Sequence, residues 1–242
     1  MKSVTSFVSL FLLSLCFVGC EKESIHLSPS GKITTEFHTI SDLTALSISD
    51  PFEVFVRFSD TERELRIEAN ENLHSFIEMH EMNGHLAISL ADHLGRIDGQ
   101  PVLKVYLTTS ALQSIEAEGA AEVKLQNTWQ IDEAELELTG KSRLTGELEM
   151  NKLTAEVSGA SSISLQGQAQ QFAIEATGAS TMNGFDFVAD QLTADLSGAC
   201  TLSLTVNDAM NIRSTGASMV HYRGNAVISQ QDLSGGSQII KE

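Results

Sequence analysis

A small-residue motif centred on glycine recurs seven times between residues 117 and 237, and it constrains the fold more than any other feature of the chain. It reads Ala-Glu-Gly-Ala-Ala from 117, Leu-Thr-Gly-Lys-Ser from 138, Val-Ser-Gly-Ala-Ser from 157 and Ala-Thr-Gly-Ala-Ser from 176. Leu-Ser-Gly-Ala-Cys from 196, Ser-Thr-Gly-Ala-Ser from 214 and Leu-Ser-Gly-Gly-Ser from 233 complete it. The glycines are Gly119, Gly140, Gly159, Gly178, Gly198, Gly216 and Gly235, spaced by 21, 19, 19, 20, 18 and 19 residues. A fixed period of this size is the mark of a repeat architecture, in which each unit buries its apolar face against the next.

The columns around each glycine say what kind of repeat this is. Four residues after it stand Val123, Leu144, Ile163, Met182, Leu202, Val220 and Ile239, all apolar. Two before it the residues are apolar in six of seven repeats, and three before it stand Glu116, Glu137, Glu156, Glu175, Asp195, Arg213 and Asp232. Inward and outward residues alternate at period two, so both flanks of the glycine are strands, and no helical period is sustained here. The reading is all-β: a right-handed parallel β-helix with coils of 19–20 residues, glycine at one corner accepting positive φ, and the hand set by the rule for parallel crossovers. Small residues after the glycine (Ala121, Ser142, Ser161, Ser180, Cys200, Ser218, Ser237) would form a tight inner ladder, which gives Cys200 a packing role. Gly140-Lys141-Ser142 departs from the pattern, and an outward bulge is expected there. An antiparallel β-sandwich is the alternative, since short alternating strands alone allow it.

Residues 33–110 show strand-like runs at 45–48, 52–58, 65–69, 86–90 and 102–107 without the glycine motif. Asn83-Gly84 is a hairpin signal. Phenylalanines gather in this region, where a solenoid needs a cap. The expectation is one continuous domain over 33–242 with about ten coils stacked at the 4.8 Å strand spacing.

Residues 1–19 read as an address. Lys2 precedes an apolar stretch too short to span a bilayer, and the stretch ends in Phe17-Val18-Gly19-Cys20. This resembles a bacterial lipobox, with Cys20 acylated as the mature N-terminus, although Phe17 departs from the usual leucine. Residues 20–32 then form the lipidated cysteine and a tether. With Cys16 removed and Cys20 acylated, Cys200 alone remains and no intramolecular disulfide forms. The net charge of −17, from 32 acidic and 15 basic residues, argues against nucleic acid as a partner.

The chain offers three kinds of candidate site. His80-Glu81-Met82-Asn83-Gly84-His85 has one residue too many for the zinc-protease spacing, Asn-Gly opposes the helix that motif needs, and His74 and His93 add no metal spacing. Glu116, Glu137, Glu156, Glu175 and Asp195 would stack on one outer face, either as a solvated surface or as a weak cation ladder such as calcium would bridge. Glycan chemistry needs a distinguished carboxylate pair, and nothing in the sequence marks one. No catalytic residues, cofactor or metal site are therefore assigned.

Several segments together resemble a known family. Asp50-Pro51-Phe52-Glu53-Val54-Phe55-Val56, Ala69-Asn70-Glu71-Asn72-Leu73, Asn83-Gly84-His85-Leu86, the serial Ser-Gly-Ala-Ser turns and Tyr222-Arg223-Gly224 are similar to the head-GIN-domain lipoproteins, a family of proposed auto-transporter adhesins. The resemblance covers about 33–240 and implies a β-helical fold, a Gram-negative envelope location and no known enzyme activity. The expected function is a lipid-anchored outer-membrane binding or adhesion module, periplasmic or surface-exposed, with a protein or glycan ligand. A periplasmic structural or assembly factor is the alternative, and a glycan-active enzyme a more distant one. The last coil should expose unpaired backbone, which calls for a covering segment or end-to-end association of copies.

Overall fold

The computed structural model describes residues 25–110 and 112–242, so the signal segment and Cys20 lie outside the described residues. The first strands are β1 (Ile25–Leu27), β2 (Ile33–His38), β3 (Ala45–Ile48), β4 (Glu53–Phe58) and β5 (Glu64–Asn70). After a 3-10 turn at His74–Phe76 come β6 (Ile77–Met82), β7 (His85–Leu90), β8 (Leu94–Ile97) and β9 (Leu103–Thr109). The repeat half holds β10 (Ser114–Ala117), β11 (Glu122–Leu125), β12 (Trp129–Gln130), β13 (Glu133–Leu138) and β14 (Arg143–Val157). It continues with β15 (Ser162–Gly178), β16 (Thr181–Gly198), β17 (Thr201–Gly216), β18 (Met219–Arg223), β19 (Val227–Leu233) and β20 (Gln238–Lys241).

The strands form two parallel stacks around one core, with β12 and the middles of β14 to β17 as a short third run between them. Stack A holds the residues before each corner: β10, β13, the second halves of β14 to β17, then β19. Stack B holds those after it: β11, the first halves of β14 to β17, then β18 and β20. From residue 114 onward the chain makes about seven coils in chain order, one per glycine. The register is direct: Ile115, Leu136, Ala155, Ile174, Ala194 and Ile212 are successive partners, and every one of them is buried.

The corners explain the glycines. All seven have φ between +69° and +104°, where a side chain is strained. Five corner N–H groups, of Lys141, Ala160, Ala179, Ala199 and Ala217, each donate to the glycine carbonyl one coil back at 2.7 Å. A Cβ on Gly178 would lie 2.5 Å from the Gly159 carbonyl oxygen, so the close stacking of corners excludes a side chain as firmly as the dihedral does. The expected bulge at Gly140-Lys141-Ser142 is absent, because Lys141 uses only its backbone N–H in the corner ladder and points its chain outward. Behind the corners Ala121, Ser142, Ser161, Ser180, Cys200 and Ser218 are buried. Ser142 and Ser180 return their hydroxyl protons to the carbonyls of Thr139 and Thr177 at 2.8 Å.

The N-terminal part departs from a simple run of coils. β3 and β4 form a rung that stacks directly on β10 and β11, while β7 and β9 form the rung outside it. The stacking order is therefore not the chain order. Strands β2, β5 and β6 close this end with antiparallel pairs: β2 on β5, β5 on β9, and β6 on β7. Only Asn83 and Gly84, both at positive φ, separate β6 from β7, and so short a link reaches only an antiparallel neighbour. Residues 25–32 are docked on this cap rather than free of it. β1 pairs with β8, and Asn72 accepts from the Ser30 N–H and donates to the Ser28 carbonyl.

A single apolar column fills the space between the stacks from Leu43 to Ala226. Phe52 plugs it at the rung where later coils carry only small residues. Phe172 and Phe187 meet edge to face at 5.3 Å in the middle, so the bulk is not confined to the cap.

Candidate binding surface

The acidic column stands on the outside of stack A. Glu116 is the register partner of Glu137, which partners Glu156; Glu175 and Asp195 follow. These positions alternate with fully buried neighbours, so their side chains project from the sheet. At the strand spacing of about 4.8 Å, adjacent carboxylates repel one another. Partial desolvation on this crowded face, followed by the fields of Glu116, Glu156 and Glu118, holds the Glu137 carboxyl above its ordinary value. The column ends where Arg213 takes the place of an acid and donates to Asp195 at 3.2 Å. At its other end the Ser47 hydroxyl donates to Glu116 and also meets His85 Nε2 at 2.7 Å.

The raised position of Glu137 has a checkable consequence. Its folded form holds a proton more tightly than its unfolded form, so its contribution to stability is full below the unfolded carboxylate value and is lost as pH rises through the folded one. Glu137→Gln is expected to raise the thermal midpoint at pH 7, the gain shrinking with added salt and vanishing as the pH falls through the carboxylate range. A midpoint at pH 7 unchanged or lowered would show that the column carries no repulsion.

Three adjoining depressions of about 590, 520 and 380 Å³ follow one another, the first on the bend that leads into this face and the other two along it, each sharing residues with the next. Their polar lining includes carboxylates, carboxamides and hydroxyls, Asp132, Glu149 and Gln168 at one end, Glu135 and Thr154 in the middle, Glu116 at the other, among apolar residues such as Ile131, Met150 and Ile115. Carboxylates adjacent in the column leave one flat sheet in parallel, so any two meet a ligand from the same side. Glycoside hydrolysis needs two that flank the bond. Among the described residues no group of three or more His, Cys, Asp or Glu is arranged to hold a metal ion. His80 and His85 lie on opposite strands of the β6–β7 hairpin, not on a helix.

The outside of stack B has a different chemistry. Arg66, Tyr106, Phe55 and Lys124 are register partners in that order. The guanidinium of Arg66 lies 3.8 Å over the Tyr106 ring, which stacks on Phe55 at 4.9 Å, and Lys124 closes the series 5.5 Å from Phe55. A hydrogen bond from Lys124 to Glu53 at 2.6 Å raises the lysine above its ordinary value. This spine staples the cap to the first coils. Sequence reading missed it because its four members lie on four separate strands; an outward Phe55 between inward Val54 and Val56 was its one signal. Beyond Lys124 the same face carries rows of hydroxyls and amides, among them Ser162 with Ser164, Thr181 with Asn183, and Thr201 with Ser203.

A corner was also missed. Asp50 sits at the glycine position of its rung with φ +68°, next to Gly119 in the stack, and its carboxylate accepts the Leu90 N–H at 2.9 Å. Aspartate tolerates the left-handed region better than most residues, and here the side chain caps backbone that would otherwise be open.

A parallel β-solenoid with an antiparallel cap and two chemically distinct polar faces defines a class of repeat protein built around surface rather than cavity. The chain belongs to the family described as "Putative auto-transporter adhesin, head GIN domain", whose model matches residues 42–226. Solved structures share the fold. A protein of Bacteroides fragilis described as a "putative adhesin" is 18% identical, with a TM-score of 0.77 over 89% of this chain and 97% of its own. One from Parabacteroides merdae, also described as a "putative adhesin", is 19% identical, with a TM-score of 0.70 over 90% of this chain and 99% of its own. A "putative lipid binding protein" of Parabacteroides distasonis is 16% identical, with a TM-score of 0.73 over 90% of this chain and 100% of its own. No curated protein matches the chain.

Proposed function

We propose that the chain is a lipid-anchored binding module of the cell envelope, held to the outer membrane by acylated Cys20 and presenting the lateral face of stack A to an extended protein or glycan ligand. The carrying observation is the repetition of one polar chemistry at one spacing along that face, from Glu116 to Asp195. Such a surface suits a long, repetitive partner better than a small molecule. The geometry of its carboxylates suits binding rather than turnover. Membership of a family described as adhesins supports the same reading.

Protease treatment of intact cells, with lysed cells as control, tests the exposure of this surface. Loss of the chain from intact cells is the expected result. Protection until lysis would place the chain in the periplasm and favour an envelope assembly role instead. Cys20→Ala is expected to abolish incorporation of labelled fatty acid and to move the chain from the membrane to the soluble fraction; continued membrane retention would overturn the anchor.

A further inference from the structure

The last coil ends at β19 and β20, and among the described residues nothing lies beyond them. In a parallel ladder alternate residues turn both backbone groups to the same neighbour. The Gln238 and Glu242 N–H groups donate back to Ser218 and Tyr222, so Ile239 and Lys241 present theirs to the open edge. On β19 the Ser234 N–H donates to Ser214, which leaves Leu233 and Gln231 facing outward along the stack. Gly235 keeps the corner geometry at φ +70°, and its carbonyl is the counterpart of the Gly216 carbonyl that accepts the Gly236 N–H at 2.6 Å. The end also leaves apolar surface uncovered: Leu233, which follows buried Leu196 and Ser214 in an inward column, is 37% exposed. The Ser237 hydroxyl is buried without a partner.

At the other end β6 runs against its neighbour and carries Glu78, His80 and Glu81, while β2 carries Glu36 and His38 beside exposed Ile33 and Phe37; the charged side chains on these strands discourage strand addition.

We infer that the C-terminal end of the solenoid is an association surface for the same end of a second copy. A fitting partner must offer two strand edges with an apolar interior between them, and a single extended peptide offers one. On this molecule the surface of that form is the end itself. A two-fold axis across it reverses strand direction, so both edges gain antiparallel partners and the contact closes at two copies. Gln231 fits this arrangement. It follows Ile212 in an inward column that is otherwise aliphatic, and a carboxamide both donates and accepts, so it is complementary to its own copy. The inference rests on the proposed anchor in one respect. β1 docks on the cap, at the opposite end, so the contact would join the tips of molecules held on facing membranes.

Sedimentation velocity on the whole chain bearing Cys20→Ala, across the micromolar range, tests the contact. A monomer–dimer equilibrium is expected. Ile239→Pro removes an edge donor without breaking a bond to β18 and is expected to weaken dimerisation roughly tenfold or more, the loss of one or two hydrogen bonds. Gln231→Glu sets two carboxylates face to face; it is expected to abolish dimers at neutral pH and restore them on acidification. A chain that stays monomeric, or dimers indifferent to both changes while circular dichroism is unaltered, would overturn the inference. Vesicles bearing the acylated chain separate the two readings: clustering supports both, whereas dimers in solution without clustering keep the tip contact and reject the facing-membrane anchor.

Discussion

Alanine at Gly178 is expected to destabilise the protein by about 3 kcal/mol or more, a large effect for a single methyl group. The residue stands at φ +78°, and a left-handed conformation costs an L-residue about 1–2 kcal/mol. The added Cβ meets the Gly159 carbonyl oxygen, which cannot retreat without giving up the bond it accepts from Ala179. That bond is worth about 1 kcal/mol, and its loss propagates because Gly178 itself accepts from Ala199. Gly99→Ala isolates the dihedral part: Gly99 has φ +87° but nothing within 4 Å of its would-be Cβ, so about 1–2 kcal/mol is expected there. Urea unfolding of both variants measures the difference. Equal losses would show that corner stacking adds nothing to the dihedral cost.

Trp129→Ala is expected to cost at least as much, about 3–5 kcal/mol from the lost volume and cavity. Trp129 is fully buried, stacks on Phe58 at 5.8 Å and donates its indole N–H to the Leu112 carbonyl at 3.0 Å. It thereby ties the first glycine coil to the rung before it and to the segment crossing between them. Trp129→Phe keeps most of the packing but leaves the Leu112 carbonyl without its donor, and about 1–3 kcal/mol is expected. Trp129 is the one tryptophan of the chain, so its fluorescence in the wild type reports the opening of this junction directly. An emission shift that precedes the loss of strand signal on denaturation would show that the cap separates before the coils unfold.

The glycine corners were legible because backbone geometry chose the residue, and each of the seven positions stacks on the next. The acidic column was legible for a related reason, since period-two alternation fixes which side faces water. Legibility ended where neighbours in space are far apart in the chain. Ile48 pairs with Ala117 across the whole inserted cap, and no periodic signal spans such a gap. The Asp50 corner was hidden because its glycine is replaced by a residue whose side chain does a second job, accepting the Leu90 N–H. The Arg66–Tyr106–Phe55–Lys124 spine depends on that same insertion bringing four separate strands into one register.

The rung formed by β3 and β4 is clasped between segments made long after it: β7 and β9 on one side, β10 and β11 on the other. During synthesis it stays half-clad until Leu125 has emerged, and closing it means gathering loops of tens of residues at once, an entropic toll paid before any contact repays it. Every coil after that needs only the coil just finished. The topology therefore predicts two tempos of assembly: a slow, long-range closure of the cap, and a rapid zippering of the coils, each laid on its neighbour.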